Sequence, residues 1–200
     1  YEKALEIVRE QGYKLEETGA YLGLGHAYRL HNQYQTAIQH YEKALEIARE
    51  KDDKLMETET YNVLGYAYTL NNQYQTAIQH HEKALDITRE QGYKLEEANA
   101  YLGLGYAYSF DNQNQTAIQH YEKALEIARE QGYNLQETQA YIGLEDAYRL
   151  DNQYQTAIQH YEKALEIVRE QGYKLEETGA YLGLGHAYRL HNQYQTAIQH

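Results

Sequence analysis

Apolar residues recur along this chain with the spacing of an α-helix. Ala20, Tyr21, Leu24, Ala27 and Tyr28 form one stripe, and Ala37, Tyr41, Ala44, Leu45 and Ala48 form a second of the same period. Short polar segments divide them: HNQ at 31–33, NNQ at 71–73, and DNQ at 111–113 and 151–153. Asn32 suits the left-handed conformation that ends a helix, and a second break, QGY, carries Gly12. The pattern predicts helices near 1–11, 14–31, 34–51 and onward, ending in a stub near 194–200.

The two stripes return every 40 residues without insertion or deletion, so that QTAIQH ends at 40, 80, 120, 160 and 200. A single hairpin of this size cannot bury its own apolar face, and stacking on the next one solves the problem. The expected fold is therefore all-α, an α-α superhelix of stacked antiparallel helix pairs. It runs over 1–200 as a single solenoid of about five 40-residue units, beginning and ending inside the second helix of a repeat. Residues 1–40 are identical to 161–200. That identity points to recent duplication, to engineering, or to a window on a longer run of near-identical units. Without polar end helices, each end presents an apolar layer, and head-to-tail self-association is expected.

Tyr21-x2-Leu24-Gly25-x2-Tyr28, followed by Ala37-x3-Tyr41 and Ala44, resembles the tetratricopeptide repeat pattern over the whole chain. Two features depart from it: no proline follows the second helix, and the period is 40 rather than about 34, which should lengthen the second helix. Longer units of this type resemble those of the Leu-Gly-Asn repeat adaptors, although LGH or LGY stands here in place of LGN. The resemblance implies a right-handed superhelix whose concave face is lined by the first helices, and a protein or peptide partner held there.

On that geometry the groove positions are Leu22, His26, Arg29 and Leu30; Asn62, Tyr66, Thr69 and Leu70; and Leu102, Tyr106, Ser109 and Phe110. The fourth unit supplies Ile142, Asp146, Arg149 and Leu150, and the fifth Leu182, His186, Arg189 and Leu190. These positions vary while the stripes do not, which fits either a readout surface or neutral drift at exposed sites. The Lys and Asn clamp that some relatives use on a terminal carboxylate has no counterpart, Asn62 alone coming near. The partners of the Leu-Gly-Asn adaptors are not carried over, because His26, Tyr66, Tyr106, Asp146 or His186 replaces their Asn.

Charge narrows the partners further. A formal charge of −12 and a pI near 5.3 argue against nucleic acid and anionic membranes. No apolar run reaches the roughly 18 residues of a membrane span, and no leader is visible. With no cysteine, a cytoplasmic setting is the default expectation. No cofactor is expected. His40, His80, His120, His160 and His200 occupy one repeat position, so helix spacing of about 8–10 Å keeps them too far apart to share a zinc ion. No nucleophile is paired with a base, so the chain is read as a non-enzyme.

Two positions break the repeat. Asp53 can cap a helix where Tyr13, Tyr93, Tyr133 and Tyr173 cannot, and those tyrosines should pack under the turn. Glu145 replaces the glycine of 25, 65, 105 and 185. Either it escapes to the groove beside Asp146 as an acidic patch, or it strains the helix contact. His81 in place of Tyr41 is a milder departure. The leading reading is a protein-interaction scaffold, and the alternative is a structural or engineered array that stacks end to end with no dedicated ligand.

Overall fold

In a computed structural model of the chain, residues 14–171 are described throughout, together with Lys3, Glu6, Gly185 and 188–192. Eight helices fill 14–171: α1 (Lys14–Leu30), α2 (Tyr34–Glu50), α3 (Lys54–Leu70), α4 (Tyr74–Gln91), α5 (Lys94–Phe110), α6 (Asn114–Gln131), α7 (Asn134–Leu150) and α8 (Tyr154–Gln171). Where they can be compared, the expected boundaries hold to within a residue. The expected stub at 194–200, and all of the 1–11 helix except Lys3 and Glu6, lie outside the described residues. The first helices have 17 residues and the second ones 17 or 18, so the 40-residue period is divided almost equally between them.

Local chemistry sets the ends. Asn32, Asn72, Asn112 and Asn152 take φ of 58°, 58°, 58° and 62°, and the amide that follows each of them then bonds back into the last turn, as Gln33 N does to Tyr28 O at 2.9 Å. At the other connection Gly92 and Gly132 take the left-handed role, and Asp52 takes it in the second unit. Asp53 then caps α3, its carboxylate accepting from Met56 N at 3.0 Å. Tyr93 and Tyr133 start their helices without a side-chain cap and sit half-buried.

Each helix packs on its neighbours in sequence, and α5 also packs on α3 and α7. The second helices make no comparable contacts with one another, so the stack curves with α1, α3, α5 and α7 on its inner side. The packing unit is an aromatic wedge. Tyr41, His81, Tyr121 and Tyr161 are buried, each projecting from a second helix against the first-helix layer. A Cβ added to Gly25 would fall 2.3 Å from the Tyr41 ring, and one added to Gly105 would fall 2.6 Å from Tyr121. A second glycine faces the same ring from the next unit: Gly103 approaches His81, and Gly143 approaches Tyr121. The rings of His81 and Tyr121 thus lie in slots between two consecutive first helices, with no room for a side chain on either wall.

Polar ties run along the outer side. Arg49 Nε reaches Glu57 at 3.1 Å and Arg129 Nε reaches Glu137 at 3.2 Å, each from a second helix to the next first helix. The Tyr68 hydroxyl donates to Glu42 at 3.0 Å across the same junction. Among the described residues no helix is long and apolar enough to cross a membrane.

Candidate functional site

Curvature brings α1, α3, α5 and α7 around one open cavity of about 570 Å³ on the concave side. His26, Arg29, Asn62 and Tyr66 are the expected residues that line it. Glu59, Val63, Glu96, Asn99, Gln136 and Gln139 line it too, and the sequence reading did not include them. The helical stripe held the signal: positions 59, 99 and 139 lie seven residues before 66, 106 and 146, on the same face about two turns nearer the helix N-terminus.

The walls are polar with an aromatic floor. His26 Nδ1 and the Tyr41 hydroxyl are 2.9 Å apart in a hydrogen bond. Burial, reinforced by Arg29, lowers the His26 pKa and keeps the imidazole neutral. Tyr66 meets the His81 ring edge-on at 5.1 Å and lies 5.8 Å from Tyr106, which packs 4.7 Å from the partly exposed Phe110. Burial raises the Tyr66 and Tyr106 pKa values, so both hydroxyls stay protonated. Glu59 is also raised, by burial first and then by the nearby Glu96 and Asp53 carboxylates.

Several expected groove residues are not on the open surface. Leu102 is 3% exposed and belongs to the core, and Leu22 packs half-buried against that core. Thr69 is fully buried and donates to Gly65 O at 3.0 Å, a hydroxyl bonding back into its own helix. Ser109 buries its hydroxyl. Asn62 serves both surfaces: it lines the cavity while its Oδ1 sits 3.2 Å from Nδ1 of the buried His81. Asp146 is exposed and paired with Arg149 at 2.8 Å, away from the cavity lining. Arg189 is exposed, and His186 and Leu182 lie outside the described residues.

Glu145 does not escape to the groove. It is fully buried where the other units have glycine, with Arg149 Nε at 3.5 Å. Burial, and then the neighbouring Asp146 carboxylate, push its pKa up to about 8, against smaller lowering effects of Tyr161 and Arg149. The expected acidic patch is thus reduced to Asp146.

The repeated histidines have a structural place. His40, His80, His120 and His160 stack flat on Tyr28, Tyr68, Tyr108 and Tyr148, with ring centres 5.0–5.2 Å apart. Burial, and then the adjacent Lys83 and Arg49, lower His80 to about 4. His120 is likewise lowered to about 4, by burial and then Lys123. Among the described residues no group of three or more potential ligands could hold a metal ion.

The sequence matches the tetratricopeptide repeat family over residues 1–50, 56–130 and 112–170. No curated protein matches it. Among solved structures, BtubC from P. vanneervenii is similar at 22% identity and a TM-score of 0.81, with 99% of this chain covering 84% of that one. The apo form of RapI is similar at 20% identity and a TM-score of 0.75, with coverage of 98% and 56%. A Rap protein complexed with Competence and Sporulation Factor is similar at 20% identity and a TM-score of 0.79, with coverage of 92% and 52%. The chain therefore spans about half the length of the Rap structures it matches, and at these identities the likeness is one of fold.

Proposed function

Because the chain belongs to the tetratricopeptide repeat family, a fold typical of protein–protein interaction, we propose that it is a non-enzymatic scaffold whose concave groove holds a segment of another protein. The observation that carries this reading is the cavity shared by four consecutive first helices, lined by amides, carboxylates and aromatic rings. Such a surface offers both hydrogen bonding and flat apolar contact to an extended or helical segment. The Rap structure that holds Competence and Sporulation Factor supports it by analogy of fold. In this reading the 200 residues form one continuous solenoid of about five units, and affinity accumulates over repeated shallow contacts.

A screen of the chain on an array of peptides tests the proposal, with Arg29→Ala and Tyr106→Ala as comparison proteins. Peptides retained by the parent and lost by both variants are expected. Retention unchanged in both variants would place binding outside the groove, and no retained peptide would favour the second reading, an array that stacks end to end with no dedicated ligand, which the identity of residues 1–40 and 161–200 supports. That reading predicts a scattering mass that rises with concentration.

A further inference from the structure

The middle of the cavity has an uncompensated character. Glu59 on α3 and Glu96 on α5 come from consecutive units and line the same space. Neither takes part in any ion pair found among the described residues, in contrast to Glu57 and Glu97 on the same helices, which are held by Arg49 and Lys54 and by Arg89 and Lys94. Glu96 accepts one bond from Asn99 Nδ2 at 3.1 Å. The charges acting on Glu59 are both carboxylates, Glu96 and Asp53. Arg29, a cation of the same lining, acts on His26, Tyr41 and Tyr106, and among the described residues it forms no ion pair with Glu59 or Glu96.

A second, independent feature lies beside this pair. Asn62 is 4% exposed and lines the cavity, and its Nδ2 has no hydrogen-bond partner. A buried amide donor left unpaired is costly, and an incoming carbonyl oxygen would satisfy it. The two features call for one shape of ligand: a cation to sit between two carboxylates, and a neutral acceptor a short distance away. A lysine or arginine residue within a polypeptide supplies both, through its side chain and its backbone.

We propose that the groove selects a partner segment carrying a basic side chain, which enters between Glu59 and Glu96 while a backbone carbonyl of the same segment accepts from Asn62. The inference rests on the groove reading and adds the chemistry of the occupant. The chain's overall charge of −12 favours the same partner at long range, but it does so everywhere on the surface. Selection at this place must therefore depend on these two carboxylates rather than on charge in general.

The probes are four capped, fluorescent heptapeptide pools, degenerate except for a central Lys, Arg, Glu or norleucine, read by anisotropy at physiological salt. The Lys or Arg pool is expected to bind about tenfold more tightly than the norleucine pool, the scale of one charge-assisted, partly desolvated pair. In Glu59→Gln/Glu96→Gln the preference should fall to near onefold while norleucine binding persists. A control with the same charge, Asp86→Asn/Glu126→Gln on the exposed outer helices, should keep it. Equal binding of the Lys and norleucine pools, or a preference that survives in the Glu59/Glu96 variant, overturns the inference alone if binding still depends on Arg29 and Tyr106. No binding by any pool overturns the groove reading with it, and saturable binding of spermidine without any pool would assign the site to a free amine instead.

Discussion

The third and fourth units solve one packing problem in two ways. In the third, Tyr121 lies between Gly105 and Gly143, and the absence of a Cβ on both walls lets backbone meet ring. In the fourth, Tyr161 shares its slot with Glu145, a fully buried carboxylate whose pKa is pushed up to about 8. The repeat therefore accepts an acid in its most crowded contact by keeping it largely protonated at neutral pH and by placing Arg149 one helical turn away. The third unit has Ser109 at the position of Arg149 and no such relief. Tolerance of a substitution in this array depends on the unit that receives it, even where the sequence around it repeats.

The sharpest way to break this comparison is to move the acid. Gly105→Glu should destabilise the protein by about 3–5 kcal/mol in chemical denaturation, because it adds a side chain against Tyr121 and a charge without a cation. A loss below about 1 kcal/mol would show that the slot is not crowded.

The reverse change should help. Glu145→Gly is expected to raise stability by about 1–3 kcal/mol at pH 8. The folded pKa of Glu145 lies above its usual 4.5, so its contribution is fully present below pH 4.5 and is lost as pH rises through about 8. The gap between variant and parent should widen over that window, and Glu145→Gln should flatten the parent's dependence. A gap that is constant with pH would mean that the carboxylate is not buried in the folded state.

The second unit offers an opposite pH signature. His81 fills the slot that Tyr41 and Tyr121 fill elsewhere, and burial, with a smaller contribution from His80, lowers its pKa to about 3. The unfolded chain then binds a proton that the folded chain refuses, so stability falls as pH drops from about 6.5 toward 3. His81→Phe should remove up to about 1.4 kcal/mol per pH unit from that slope, leaving the share of the other lowered histidines, His26, His80, His120 and His160. An unchanged slope in acid denaturation would show that His81 titrates normally.

The smallest contrast is between two ion pairs. Arg49 holds Glu57, whose side chain is 8% exposed, and Arg49→Ala should cost about 1 kcal/mol. Lys43 and Glu46 are both more than half exposed, and Lys43→Ala should stay within about 0.5 kcal/mol. Equal losses would mean that the junction between units gains nothing from Arg49.

Much of the fold was legible in the residues. Asn32 and its equivalents ended the first helices as expected, since the left-handed preference belongs to the residue and its two neighbours. Asp53 capped α3 while Tyr93 and Tyr133 left their helices uncapped, for the same local reason. The site was legible in part. His26, Arg29, Asn62 and Tyr66 share the cavity, whereas Leu102 and Thr69 are buried in the helix contacts. The facing angle of a helix against its neighbour, which a one-helix stripe does not contain, moved the surface toward Glu59, Asn99 and Gln139.

The sequence by itself determined the period, the two stripes, the turn residues and the need for hairpins to lean on one another, because each follows from spacing and side-chain type within one unit. Only the tertiary structure decided that Glu59, Glu96 and Gln136, from three units, would open on one cavity. It alone also decided that Glu145 and His81 would hold opposite, shifted protonation states in equivalent slots. Curvature and burial are sums over neighbours from several units, and such sums are not written at any single position of the chain.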